Sequence, residues 1–119
     1  YLFKNSFMPY HSEALHMDWN EVESSTQFLI LALMRAVAGG FIAGSIVIIV
    51  LQNKFSSVQL PWIPWLILTT GFILSFASMY ATLIIRLNSP GKPPTFLAII
   101  GIVLLFTGFV FNHKTLKKN

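Results

Sequence analysis

The stretch FLILALMRAVAGGFIAGSIVIIVL, residues 28–51, decides the fold: 24 residues in a row whose only formal charge is Arg35. Coiled as an α-helix at ~1.5 Å per residue, the run is ~36 Å long, more than the ~30 Å hydrocarbon core of a bilayer. A helix satisfies its own amides, which a lipid environment requires of any spanning segment. Two more such runs lie downstream. Residues 61–85 carry no formal charge, and residues 95–111 form a run of 17, ~25 Å as a helix and close to the shortest that spans.

Composition agrees. The chain has 119 residues, of which 55% are hydrophobic and 10% charged, with a mean hydropathy of +0.69. That leaves too little polar surface to coat a soluble globule. The expectation is an all-α integral membrane helical bundle in a single membrane domain, residues 1–119, with the lipid bilayer as its first partner. Its parts are an interfacial acidic segment (1–25) with a short helix, spans at 26–52, 61–86 and 95–111, and a basic tail (112–119). No cysteine is present, which removes disulfides, thiolate metal sites and thiol chemistry. The net charge of +4 comes from Lys and Arg in loops and tail, a pattern of membrane topology and not of a nucleic-acid-binding face.

Local signals mark the ends of the spans. Ser24 followed by Gln27 reads as a capping box for the first helix. Pro61 and Pro64 suit a helix start, with Trp62 and Trp65 at headgroup level. The segment LNSPGKPPT, residues 87–95, reads as a turn followed by extended backbone. With three spans, the acidic segment and this loop share one side, and NKFSSVQ (residues 53–59) shares the other with the tail. Lys4, Arg86 and Lys92 on the first side stand against Lys54, Lys114, Lys117 and Lys118 on the second. The margin of one makes the second side, and the C-terminus, cytoplasmic.

Residues 7–40, FMPYHSEALHMDWNEVESSTQFLILALMRAVAGG, resemble a group of small bacterial membrane proteins of no assigned activity. These carry FMPYH, then a Trp, a Gln, and an apolar helix ending in Arg and glycines. The resemblance implies a bacterial inner-membrane location. It also implies a further helix before FMPYH, hence four in all, and the absence of an initiator Met fits that expectation. The likeness covers about a third of the chain and bears on architecture alone.

Small residues recur on the helix faces. Ala32, Ala36, Gly40 and Gly44 repeat every four residues, Gly71 and Ser75 do so on the second span, and Gly101 and Gly108 narrow the third. Such faces let backbones approach closely where hydrophobicity gives helices no reason to pair. Packing within the chain is the plainer reading, and a homo-oligomer or a larger membrane complex the sharper one.

Arg35 is expected ~10 Å down the first helix from residue 28, where a charge costs a few kcal/mol unless it snorkels or is paired. Snorkelling is the plain account. The alternative is a polar vestibule in which Tyr80 and Ser78 lie at similar depth and Glu21 or Glu23 folds over Arg35. All four acids lie between residues 13 and 23. His11, Glu13, His16 and Asp18 are metal-ligand types, but the i to i+5 spacing of the histidines sets them ~140° apart on a helix, so the pattern is not a metal motif. Asp18 with Glu21 reads as a helix start, and Trp19 with Val22 as the apolar side of a short surface helix. No residue set assigns catalysis, and no cofactor is expected. Two functions follow: a non-enzymatic structural or accessory subunit packing through small-residue faces, or an oligomeric small-solute or ion transporter using Arg35.

Overall fold

The computed structural model describes residues 1–117, and among them every regular element is helical. A short helix α1 (Pro9–Leu15) and a 3₁₀ turn (Trp19–Glu21) precede three long helices: α2 (Ser24–Val58), α3 (Trp62–Asn88) and α4 (Thr95–Leu116). Each long helix is apolar and long enough to cross a membrane, so the chain is a membrane protein.

The helices overrun the expected spans. Most of the loop expected at 53–59 is helix, because nothing breaks it before Gln59, whose left-handed backbone (φ 47°) ends α2. Ser56 and Ser57 turn their hydroxyls back to the carbonyls of Gln52 and Asn53, which keeps them compatible with the helix. The expected tail likewise begins as helix through Leu116, with the Thr115 hydroxyl donating to the Phe111 carbonyl. Residues 118–119 lie outside the described residues. The expected Ser24/Gln27 box does not form. Glu23 is the N-cap, and the Gln27 side-chain amide instead donates to the carbonyls of Trp19 (2.7 Å) and Val22 (3.0 Å).

Helix α3 is the middle of a row. On one side Leu74 covers Gly44 of α2; on the other Leu105 of α4 covers Gly71, Ser75 lies against Gly101, and the Trp65 and Phe109 rings meet at 4.6 Å. The molecule is accordingly a thin slab, 61 × 25 × 15 Å. Helices α2 and α4 form the walls of a shallow trough of about 420 Å³, lined by residues that include Phe41, Ser45, Ser75 and Leu104. A reciprocal amide pair joins these walls near one end: Asn112 Nδ2 donates to Gln52 Oε1 at 2.8 Å, and Gln52 Nε2 to Asn112 Oδ1 at 3.2 Å.

These contacts fix the helices' relative heights. Counting nine residues back from Gly44 and nine forward from Leu74 brings Arg35 level with Leu83, three residues (~4.5 Å) short of Arg86. The contact between Gly91 and Ile85 places Pro93 at the same height as Leu83. At the other end Gln52 and Asn112 are the first polar residues after their apolar runs. From Gln52 to Arg35 is 17 residues, ~26 Å, so a ~30 Å core beginning at the amide pair ends within ~5 Å of Arg35. Phe28, in the second turn of α2, is 74% exposed.

Candidate functional site

The polar residues gather where the N-terminal segment caps the α3–α4 connection. Gly91 makes the docking possible. A methyl group there would stand 2.6 Å from the Tyr10 carbonyl oxygen, 3.0 Å from Ala14 Cβ and 3.1 Å from Ile85 Cγ2, so α1 lies directly on the loop backbone. Glu13 completes the contact by accepting the Lys92 backbone N–H at 3.1 Å. Beneath, Phe7 and Val22 are buried, and the Phe7 ring meets Trp19 edge-on at 5.0 Å. The turn at residues 18–21 forms as its sequence suggests, with the Asp18 N–H donating to Glu21 Oε2 at 2.9 Å.

The two titratable rings of α1 are tuned by this packing. His11 Nδ1 accepts the Met8 N–H at 3.2 Å at the start of the helix, and burial pushes its pKa below the usual histidine value. Burial, with the neighbouring Tyr1 hydroxyl, raises the Tyr10 phenol well above its ordinary range. A shallow pocket of about 330 Å³ is lined by residues that include Glu13, His16, Asp18 and Glu21. Its polar groups already have local uses: Ser12 donates to Asp18 Oδ1 at 3.2 Å, and His16 closes α1 in a left-handed conformation (φ 55°). Among the described residues no three His, Asp or Glu side chains come together as a metal-ligand set. His11 and Glu13 in particular are committed to the helix start and to the loop.

The vestibule candidates do not converge. Arg35 and Tyr80 are exposed, Ser78 is half-buried, Glu21 bonds back to Asp18, and Glu23 caps α2 from an exposed position. Arg35 has no hydrogen bond or ion pair with any described residue. By the helix register Ser78 and Tyr80 are five and three residues deeper than Arg35, ~7.5 and ~4.5 Å. Side chains on a helix lean toward its N-terminus, the direction in which a snorkelling Arg35 would reach headgroups.

The small residues fall into two groups. Gly44, Gly71, Ser75 and Gly101 meet neighbours within the chain. Ala32, Ala36 and Gly40 are exposed on the outer side of α2, and Cβ atoms added at Gly39, Gly40 or Gly108 would meet nothing within 4 Å. The amide pair, the close approach at Gly91 and the Gln27 clamp are additions to the residues singled out from sequence. A signal existed for the first: Gln52 and Asn112 are the carboxamides at which two apolar runs end on the same side of the layer. No protein-family model, curated protein or solved structure matches this chain.

Proposed function

We propose that this chain is a small, non-enzymatic subunit of a membrane assembly that packs laterally against protein within the bilayer. One observation carries the reading. The outward surface of α2 presents a stripe of small exposed residues, Ala32, Ala36, Gly39 and Ala43, bordered by large exposed ones such as Leu29, Leu33, Ile42 and Ile46. Lipid accepts large apolar side chains, while close helix contact requires small ones. The transporter alternative places Arg35 in a polar vestibule, and the exposure of Arg35 and Tyr80, with no hydrogen bond or ion pair from Arg35 to a described residue, supports that less.

The test is purification from native membranes in mild detergent with measurement of particle mass and composition. Recovery at a fixed stoichiometry with copies of itself or with other membrane polypeptides is expected; a bare monomer without partners overturns the reading. We place the assembly in a bacterial inner membrane with the Lys114 end cytoplasmic, in keeping with the loop-charge margin and the likeness of residues 7–40 to bacterial proteins. Reporter fusions at the two ends check the orientation.

A further inference from the structure

The geometry points to the trough between α2 and α4 as a binding site for one anionic phospholipid, with an acyl chain in the trough and the phosphate head at the Gln52–Asn112 pair. The site lies apart from the outward surface of α2 that carries the subunit reading.

The shape of the trough selects a hydrocarbon chain. α2 contributes Phe41, Ser45, Ile48 and Gln52 at spacings of four, three and four, and α4 contributes Gly101, Leu105, Gly108 and Asn112 at the same spacings. Each wall therefore runs 11 residues, ~16 Å. A volume of about 420 Å³ over that length leaves a slot ~25 Å² in cross-section. A helix, ~10–12 Å across with its side chains, is too wide to enter. One extended hydrocarbon chain, whose width follows from the ~4 Å contact spacing of carbon atoms, fills it. The space is open along α4, since a Cβ added at Gly108 meets nothing within 4 Å. Short of the amide pair the lining is apolar apart from Ser75 and Ser45, and the Ser45 hydroxyl is turned back to the Phe41 carbonyl. Water finds too few partners there.

The closed end of the trough selects the head. Gln52 and Asn112 are the last residues that α2 and α4 give to the lining, and their reciprocal bonds join wall to wall. A carboxamide has two N–H donors, so each side chain keeps one for an ester or phosphate oxygen after bonding the other. Lys54 and Lys114 stand two residues beyond the pair, one on each wall, and Lys117 follows; all three are exposed. Two residues turn a helix by ~200°, so both lysines lie on the outer sides of the walls and flank the head as a field, not as its ligands. No acid balances them. The four carboxylates lie between residues 13 and 23, and Glu13 is docked on the α3–α4 loop at the opposite end. A negative head complements this end, and a zwitterionic one gains little from it.

The test uses the full chain in vesicles with a trace of phosphatidylglycerol bearing a diazirine in one acyl chain, or phosphatidylcholine with the same chain. Adducts are mapped by mass spectrometry. Ile48 and Leu104 in the trough are expected to favour the anionic probe on the order of tenfold, and exposed Phe76 on α3 to take both alike. Excess unlabelled phosphatidylglycerol competes at the trough. Lys54→Gln with Lys114→Gln brings the trough preference to within about twofold of none. Gly108→Leu fills space that is empty at Cβ, so the chain folds as the parent does and trough labelling falls on the order of tenfold. Val103→Phe, at an exposed position of α4 outside the trough, keeps it. Labelling that follows exposure alone, at the trough as at Phe76, overturns the site and leaves ordinary boundary lipid. Equal trough labelling by both heads overturns the anionic assignment. A trough closed to both probes, or crosslinked to a polypeptide, overturns lipid as the occupant. A bare monomer on purification sinks the subunit reading without changing any of these outcomes.

Discussion

Replacing Gly91 by alanine probes the contact that holds the N-terminal segment to the helix layer. The added Cβ arrives 2.6 Å from the Tyr10 carbonyl oxygen, closer than such atoms approach, and that oxygen belongs to the backbone of α1 and cannot rotate away. Ala14 Cβ at 3.0 Å and Ile85 Cγ2 at 3.1 Å close the other directions of escape. No glycine here has a positive φ, so the substitution acts through this crowding and not through backbone strain. Overpacking of this kind costs about 1–3 kcal/mol. At the middle of that range, ~2 kcal/mol, the undocked fraction of α1 rises about 30-fold. Amide hydrogen exchange in lipid nanodiscs reads this directly at residues 10–15, while amides in the middle of α3 report the bilayer-embedded part. Gly108→Ala is the internal control. Its Cβ meets nothing, and alanine is the better helix former by up to ~1 kcal/mol, so its effect is neutral or mildly stabilising. If α1 in Gly91→Ala exchanges within twofold of the parent, or Gly108→Ala loosens α1 equally, the docking argument is wrong.

Further expectations follow from the other polar contacts. Asn112→Leu strands the Gln52 amide and costs ~0.6–2 kcal/mol in a membrane, whereas the Gln52→Leu/Asn112→Leu double variant loses less than the sum of the singles; additive losses in a bicelle unfolding cycle refute the pairing. His11 is neutral as an acceptor and its pKa is depressed in the folded state, so the undocked segment binds protons first. Docking of α1 is therefore full above about pH 6.5, the unfolded value, and weakens as pH falls below it; α1 exchange that ignores this window, or that keeps the same dependence in His11→Gln, counts against the role given to Nδ1. Gln27→Leu frees the carbonyls of Trp19 and Val22, a loss of about 1–2 kcal/mol that raises limited proteolysis of residues 16–23 roughly tenfold; unchanged cleavage removes the clamp.

The three membrane helices were legible because length and apolarity alone specify them, and Asp18 with Glu21 announced its turn for the same local reason. Their ends were less so. Asn53, Lys54, Ser56 and Ser57 read as loop because they are polar, yet a helix leaving the bilayer keeps its hydrogen bonds and needs a breaker to stop it. Which residues stand level with Arg35 was not legible, because a count along one helix does not give the register of its neighbours. The bilayer's position depends on where α3 and α4 end, which is a property of their register. Gln27 looked like a cap and became a clamp on the preceding turn, since its partners depend on how residues 19–22 fold back. The role of Gly91 was invisible, as it requires knowing that α1 lies on the loop.

Only Gln59, Leu60 and Pro61 separate α2 from α3. A connection this short gives neither helix room to wait for the other during synthesis. The two must enter the bilayer together as a hairpin, and the exit of α2 commits α3 to turn back at once. The ~25 Å apolar run of α4, marginal as a solitary insert, then arrives beside a template whose Gly71 and Ser75 are ready to receive Leu105 and Gly101. The order of insertion thereby lends the weakest segment a surface that its own hydrophobicity does not supply.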